Sequence, residues 1–471
     1  MRYIVLLVFL SVVLINPALG QEKWDLEKCI NAAIENNLAV QRSTLQSELA
    51  EQNLTNAKGS HLPNVNLFLS SDLNFGRTID PFTNTFATDE VRSDAYGISG
   101  QWQVFNGLQR YNRYKQSQYD VMAAKYDADK MVNDISLSVT QSYLQILFNK
   151  EILAIAQEQV DVTAKEVERT SKLVNAGSLP EGNLLDIQAQ YAQEELNEVT
   201  AQNNLDISYL SLLILMRMDT LEDFEIATPQ VSIESTNGLD ATPSFVYLKA
   251  VETLPEVKSA EMRYISSEKS LSGERGRISP TITLRGSLGS GYSGKSVDPN
   301  SAVFTGTQQV AVTASGEPVL QPTYAYDGTK SFSSQVTDNF NQSLGVSISF
   351  PILNSLNTHT SISRAKVNKE LAQNQYEQVK YQINETVKRA YFDATAARKK
   401  YLANEKTVTA TRESFKYAEK RFQVGLLNAL EYNQSKNNLM RAESQLLQAK
   451  YDFVFKSKIL EFYMGQPLSL K

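Results

Sequence analysis

The sequence is poor in the residues that build metal sites and disulfide frameworks. Its 471 residues include one cysteine and two histidines. A single thiol, Cys29, has no partner for an internal disulfide, and so few soft ligands cannot supply a Cys- or His-rich zinc site. A fold held together by disulfides or structural zinc is therefore excluded, and we expect no metal and no cofactor.

Positive charge is not in surplus either. The chain has 46 Lys plus Arg against 52 Asp plus Glu, a formal net charge of −6. A protein that binds the phosphate backbone of nucleic acid needs a basic surplus or a clear basic stripe. Nucleic acid is therefore not an expected partner.

Residues that interrupt helices and strands are also few. The 21 Gly and 13 Pro are too few to punctuate the two or three compact domains that this length would allow. The composition therefore predicts long uninterrupted elements.

Long hydrophobic runs are missing except at the N-terminus. A 12-residue apolar run, 4–15, follows a basic residue and ends near a small-residue site at 18–20. The run is too short to span a bilayer and is typical of a secretory signal peptide, which we predict over 1–20. An N-terminal membrane anchor is the alternative. Cys29 lies eight residues past the predicted cleavage site, so lipid attachment is not expected.

The sequence contains an internal repeat. A constant offset of 248 in residue number aligns the following pairs without a gap: Gly97 with Gly345, Asn106 with Asn354, Leu108 with Leu356, Tyr143 with Tyr391, Gly177 with Gly425, and Met216 with Met464. Upstream the offset falls to 217, and the difference predicts an inserted loop in the second copy. The sequence thus predicts two repeats, 21–216 and 244–471, joined by a linker over 217–243.

Hydrophobic periodicity changes in the same order within each repeat. A helix-forming stretch, such as 25–58, comes first. Alternation with a period of two then predicts strands at about 64–76, 95–105, 281–292 and 339–350. Stretches without Pro predict long helices over 106–174 and 354–423, followed by return helices over 180–216 and 428–464. At 1.5 Å per residue, each long helix would extend about 100 Å.

The long helices carry the spacing of a coiled coil. Apolar or aromatic residues recur every seven positions: Val132, Val139, Ile146, Leu153, Val160, Val167 and Val174, then Val387, Ala394, Tyr401, Val408, Phe415 and Phe422. The residues three positions later, such as Ala156 and Thr163, are mostly small or polar and would let neighbouring helices approach closely. This pattern predicts antiparallel coiled-coil packing.

The two faces of the strands indicate a membrane environment. Leu67 and Leu69 lie on an apolar face, whereas Asn64 and Asn66 lie on a polar one. A sheet with open edges leaves backbone groups unpaired in hydrocarbon, so four strands must close with other copies of the chain. Aromatic residues near the strand ends suit an interfacial girdle: Phe75, Trp102, Tyr292 and Phe350. A soluble β-sandwich is the alternative for the strands considered alone.

No catalytic site is predicted. Residues 289–294 formally match the G-x-G-x-x-G dinucleotide fingerprint, but they lead into a Pro- and Thr-rich loop where the fingerprint requires a helix. His61 and His359 have no Ser or Asp constellation near them in the pattern. We therefore expect no enzymatic activity.

The breaks between the helices carry a family resemblance. Three segments and the duplicated order resemble the TolC-type outer-membrane efflux proteins. The segments are NAGSLPEGNLLD (175–186), QVGLLNALEYN (423–433) and the ending FYMGQPLSL. The resemblance covers nearly the whole mature chain. It implies an α+β membrane protein in a Gram-negative bacterium: a homotrimer whose four strands per chain form a 12-strand β-barrel in outer-membrane lipid, continued by an antiparallel α-helical tunnel across the periplasm.

The same resemblance implies a function. Such a protein is the exit duct of a tripartite efflux or type I secretion system, and it docks to a periplasmic adaptor and an inner-membrane transporter. The residues at the two breaks would dock the adaptor: Ala176, Gly177, Ser178, Val424, Gly425 and Leu426. A non-conducting, exported coiled-coil protein with a structural or adhesive role is the alternative.

The resemblance also points to a periplasmic entrance. Relatives carry acidic residues six and nine positions after the tip glycine. Here those positions hold Glu431 and Gln434 in the second repeat, and Asn183 and Asp186 in the first. One acid per repeat remains, so we expect Asp186 and Glu431 to ring a cation-preferring aperture. The alternative is that both carboxylates face solvent outside the tunnel.

Overall fold

A computed structural model describes residues 23–219, 224–229 and 241–469. The predicted signal peptide and much of the predicted linker lie outside these residues. The chain divides into a helical unit, with residues up to 50, 120–264 and from 371 onward, and a unit that contains the main sheet, with residues 51–119 and 265–370.

In chain order the helices and strands are α1 (Leu26–Asn36), α2 (Leu38–Gly59), β1 (Asn64–Asn74), β2 (Thr78–Ile79), β3 (Phe86–Ala87), β4 (Val91–Phe105), α3 (Gln109–Asn175), α4 (Glu181–Met216), α5 (Pro243–Thr253), α6 (Pro255–Arg275), β5 (Thr281–Ser293), β6 (Ala302–Val312), β7 (Pro318–Tyr326), α7 (Phe332–Asp338), β8 (Asn341–Ser349), α8 (Asn357–Gln423) and α9 (Ala429–Tyr463).

Four antiparallel strands form the main sheet in the order β1-β4-β5-β8. Paired residues share a face, so the register builds apolar rows across the strands: Leu67 pairs with Ile98, which pairs with Leu288. These three side chains are exposed. On the opposite face the Ser287 and Ser343 hydroxyls lie 2.7 Å apart. One chain does not close the sheet, because β1 and β8 are its edges.

Two helices, rather than the single predicted helix-forming stretch, occupy residues 25–58. Asn37 is extended, with φ −68° and ψ 127°, and its side chain explains the break. The Asn37 Oδ1 accepts from the Ala39 N–H at 2.8 Å, while its Nδ2 donates to the Leu215 carbonyl at 3.0 Å. Side-chain amides that bond the backbone in this way compete with helix continuation.

The predicted inserted loop, about 293–338, has its own secondary structure. Strands β6 and β7 pair as a hairpin, and α7 follows it. The pairing register shifts twice, between Phe304 and Gly306 and between Gln309 and Ala311. Each bulge shifts the alternation of side chains by one position, so these strands lack the continuous period of two that predicts the strands of the main sheet.

The sheet joins each long helix through two consecutive left-handed residues. Gly107 and Leu108 have φ values of +65° and +61°, and the corresponding pair in the second repeat, Ser355 and Leu356, has values of +54° and +62°. The long helices therefore begin at Gln109 and Asn357, shortly after their predicted starts.

Tyr143 lies at the centre of the helical unit's largest apolar cluster and is fully buried. Its hydroxyl lies 2.6 Å from the Ala227 carbonyl oxygen and 3.2 Å from that of Trp24. Cys29 belongs to the same cluster, and burial raises the pKa of its thiol to about 12. A second cluster surrounds Val387 and Leu460. No helix in the described ranges has both the length and the apolar character that a bilayer crossing requires.

Candidate functional site at the helix tips

Each long helix reverses at a glycine. At the first tip Gly177 has a φ of +70°, a region that glycine enters without steric cost. Its N–H donates to the Val174 carbonyl, and the Ser178 N–H donates to the Leu173 carbonyl, both at 2.9 Å. These two bonds form a Schellman motif, which satisfies the last carbonyl groups of α3.

The second tip has the same geometry. Gly425 has a φ of +77°, and its N–H donates to the Phe422 carbonyl at 3.0 Å. The Leu426 N–H donates to the Arg421 carbonyl at 2.8 Å. The backbone of each tip thus bonds to its own helix, and the side chains are left available to another molecule. All six predicted tip residues are exposed: Ala176, Gly177, Ser178, Val424, Gly425 and Leu426.

The two tips lie beside each other in the helical unit. A groove of about 510 Å³ lies between them. It is lined by the end of α3 and the start of α4 on one side, and by residues 422, 423 and 425–428 on the other. Glu166, Arg169 and Glu431 contribute charged groups to this groove. The fold therefore brings together corresponding segments of the two repeats, which are far apart in the sequence.

An aromatic stack fixes the second tip. The Tyr432 ring stacks on Phe422 with centroids 4.4 Å apart, and Phe415 lies 5.6 Å from Tyr432. Tyr432 is almost fully buried, and this burial, with the nearby Glu166 carboxylate, raises its pKa to about 12. Phe415 and Phe422 belong to the heptad pattern, whereas Tyr432 lies outside it. The signal for Tyr432 in the sequence is its aromatic character on the first turn of the return helix.

A buried lysine links the two repeats above the tips. The Lys436 ammonium on α9 donates to the Thr163 hydroxyl on α3 at 2.6 Å. Lys436 is 5% exposed and Glu194, on α4, is 1% exposed. Burial lowers the pKa of Lys436, whereas the carboxylates of Glu194 and Glu166 oppose that shift. Thr163 is one of the small or polar residues that accompany the heptad pattern, but the pattern gives no signal for the lysine that contacts it.

The predicted entrance residues occupy different positions. Asp186, Glu431 and Gln434 are all exposed. Glu431 lines the groove between the tips together with Asn183, its counterpart in the first repeat, whereas Asp186 and Gln434 do not. The two predicted acids therefore do not occupy equivalent positions, and their contact with a lumen stays a prediction.

The four predicted girdle aromatics divide between the two ends of the sheet. Trp102 and Phe350 lie near the end that joins the helices, and Phe75 and Tyr292 lie near the other end. Three of them are exposed, while Tyr292 is half-buried with its ring centroid 5.8 Å from that of Phe332. Their girdle role stays a prediction.

Comparison with known proteins decides the family. A family model described as outer membrane efflux protein matches residues 29–216 and 246–466. The chain belongs to that family. The resemblance seen in the sequence is thus confirmed, and the protein is an outer-membrane protein.

Two curated relatives are about a quarter identical to this efflux family member over the matched regions. Outer membrane protein TolC of Salmonella enteritidis is 23% identical over 343 residues, which are 72% of this chain and 62% of that protein. Toxin and drug export protein A of Aggregatibacter actinomycetemcomitans is 24% identical over 323 residues, 67% of this chain and 60% of that protein. The matched region thus spans less than two thirds of these relatives.

Solved structures establish the fold of the efflux family member. CusC matches with a TM-score of 0.76 at 15% identity, covering 94% of this chain and 92% of that one. The outer membrane protein VceC of Vibrio cholerae matches with a TM-score of 0.74 at 14% identity, covering 94% and 97%. The family and the fold are those of outer-membrane channel proteins.

Proposed function

We propose that the protein is an export duct of the outer membrane. The observation that supports this most directly is the main sheet, whose apolar rows are exposed and whose edge strands β1 and β8 have no outer partner among the described residues. Exposed apolar rows suit lipid, and unpaired edges in lipid require closure. Membership of the efflux family makes export the function that this closure serves.

Closure of the main sheet between copies of the chain would produce a trimer. Three chains with four strands each supply a 12-strand barrel, and β8 of one copy would pair with β1 of the next. The long helices of three chains would then form the coiled-coil tunnel into the periplasm. Three repeat pairs would surround the pore, since the left-handed junctions and the tip motifs occur at corresponding positions of both repeats.

Partners follow from the same proposal. A periplasmic adaptor would dock at the tips, and an inner-membrane transporter would supply energy and select the cargo. The alternative, a non-conducting adhesive or structural protein, would have no use for a sheet that is open at both edges and apolar on one face.

The assembly is tested on the full-length protein purified from outer membranes in detergent. We expect crosslinking to trap trimers as the largest species, because four strands cannot close alone, and we expect the trimers to conduct ions in planar bilayers. Only monomers and dimers after exhaustive crosslinking, or trimers that never conduct, would contradict the duct.

The entrance is proposed as a ring of carboxylates. Threefold symmetry would place six of them, from Glu431 and Asp186, around one aperture, and crowded negative charge attracts cations. We expect a closed resting state that excludes large solutes but still passes small ions, with cation preference. The double change Glu431→Gln and Asp186→Asn should lower the cation preference measured from reversal potentials. Glu385→Gln, which removes an exposed carboxylate of α8, is the matched control. An unchanged preference in the double variant would remove both acids from the lumen.

A further inference from the structure

A basic pocket lies where the sheet joins the helices. It is about 550 Å³ in volume and lies between the first turns of α3 and the last turns of α6. The side chains that decide its chemistry are Arg110, Arg113, Lys269, Arg277 and Glu274. All of them belong to the unit that contains the main sheet.

The pocket has four cations and one carboxylate. Glu274 is already paired, because its Oε2 lies 2.6 Å from the Arg277 Nε. Arg110 donates from Nη1 to the Ser60 carbonyl at 2.8 Å, yet its Nε is buried without a hydrogen-bond partner. Within the described part of the chain, neither Arg113 nor Lys269 has a carboxylate at ion-pair distance. Such a positive excess is unusual in a chain with a net charge of −6.

Close backbone contacts hold the walls of the pocket in place. Gly107 and Gly276 approach so closely that a Cβ on either one would overlap the carbonyl oxygen of the other. A Cβ on Gly273 would lie 3.5 Å from that of Asn112, so α6 and α3 are also close there. Because these contacts fix the backbone on both walls, a ligand does not have to order the backbone that carries the cations, which favours binding.

The pocket opens on the polar face of the sheet. Gln103 lines it, whereas the neighbouring residue Trp102 points to the apolar face, because successive strand residues alternate. Gln103 pairs with Thr283, which pairs with Ser347, so the polar face continues across three strands. That this face borders the water-filled passage rests on the proposed function; the chemistry of the pocket does not.

We propose that this pocket binds the phosphate group of a water-soluble phosphate or phosphate ester. Guanidinium groups match phosphate with two parallel hydrogen bonds, and the excess of three positive charges suits a dianion. The orphaned Arg110 Nε would gain a strong acceptor. The volume exceeds that of phosphate alone and lies in the range of small-molecule sites, which leaves room for an organic substituent.

The test uses the full-length trimer in detergent and inorganic phosphate as the probe. Broadening of the phosphate ³¹P resonance, at constant ionic strength with chloride as the competing anion, reports binding. We expect saturable broadening, with affinity lowered by at least about tenfold in Arg113→Gln and in Lys269→Gln. Among the residues that the structure describes, these two side chains have no ion-pair partner to lose, so the variants should still fold. Arg389→Gln, an exposed arginine of α8, should bind as the unmodified protein does.

Several outcomes would overturn the proposal. Broadening that does not saturate, or that is equal in Arg113→Gln and the unmodified protein, would exclude the pocket. Displacement of phosphate by phosphatidylglycerol in nanodiscs, but not by glucose 6-phosphate in solution, would assign the pocket to a lipid headgroup and overturn the soluble ligand. Trimers that conduct ions but bind no phosphate would overturn the pocket and leave the duct standing, so the two proposals fail separately.

Discussion

Replacing Gly276 by alanine is expected to prevent stable assembly. The added Cβ would overlap the Gly107 carbonyl oxygen and would lie 3.1 Å from the Gln109 Cγ. The first of these neighbours is backbone, so a rotamer change cannot relieve the clash. The backbone of Gly107 is also held in a left-handed conformation next to the left-handed Leu108. Overpacking against fixed backbone should cost about 3 kcal/mol or more.

The measurement is the yield of trimers from outer membranes and their midpoint of thermal unfolding in detergent. Gly59→Ala is the matched control: the residue is exposed at the last position of α2, and a Cβ there has no neighbour within 4 Å. We expect the control to assemble normally and Gly276→Ala to give little trimer. A Gly276→Ala trimer that unfolds within about 2 °C of the unmodified protein would show that the two backbones are not in contact, since a loss of about 3 kcal/mol lowers the midpoint by more than this.

Short-range patterns predicted the elements of this fold well. The period-two stretches located all four strands of the main sheet, and the absence of Pro located the four long helices. Alternation also assigned the faces correctly, because the register places Leu67, Ile98 and Leu288 in one row. Each of these inferences needs only neighbours along the chain, where side-chain direction is fixed by the backbone.

Other features depend on contacts between distant segments. Asn37 ends α1 partly because its amide reaches the carbonyl of Leu215, 178 residues away. Leucine rarely adopts a positive φ, so the local sequence does not predict the left-handed conformation of Leu108 and Leu356. Their conformation is imposed by the junction between strand and helix.

The basic pocket shows the same limit for sites. Arg110 and Arg113 lie one helical turn apart, and Lys269 and Arg277 lie on the other wall, in the second repeat. In the order of the sequence, the charges are those of an acidic protein with scattered lysines and arginines. Only the packing of α3 against α6 collects these cations in one place. The tips were predictable because a glycine break is a local signal, whereas the groove between them was not.

Replacing Leu426 by aspartate is expected to abolish export while leaving the trimer intact. The Leu426 side chain is 70% exposed, and its contribution to the turn is its backbone N–H, which bonds the Arg421 carbonyl. A charged side chain therefore leaves the Schellman motif in place. If the tips dock the adaptor, as we propose, an aspartate would bury an unpaired charge in that contact. A lost apolar contact with a buried charge should weaken binding by at least about a hundredfold.

Two control variants separate docking from turn formation. Leu426→Met keeps an apolar side chain of similar volume and should keep export. Gly425→Ala strains the left-handed φ without a clash, since no atom lies within 4 Å of its Cβ. The strain should cost about 1–2 kcal/mol in the turn and affect docking far less than the aspartate does.

Binding of the purified adaptor to immobilised trimers, together with accumulation of an exported dye in cells, measures both effects. Trimers of Leu426→Asp that still bind the adaptor and clear the dye would show that this apolar tip residue has no part in docking. Equal losses in Gly425→Ala and Leu426→Asp would instead assign the effect to the shape of the turn, because the alanine variant leaves the exposed leucine in place.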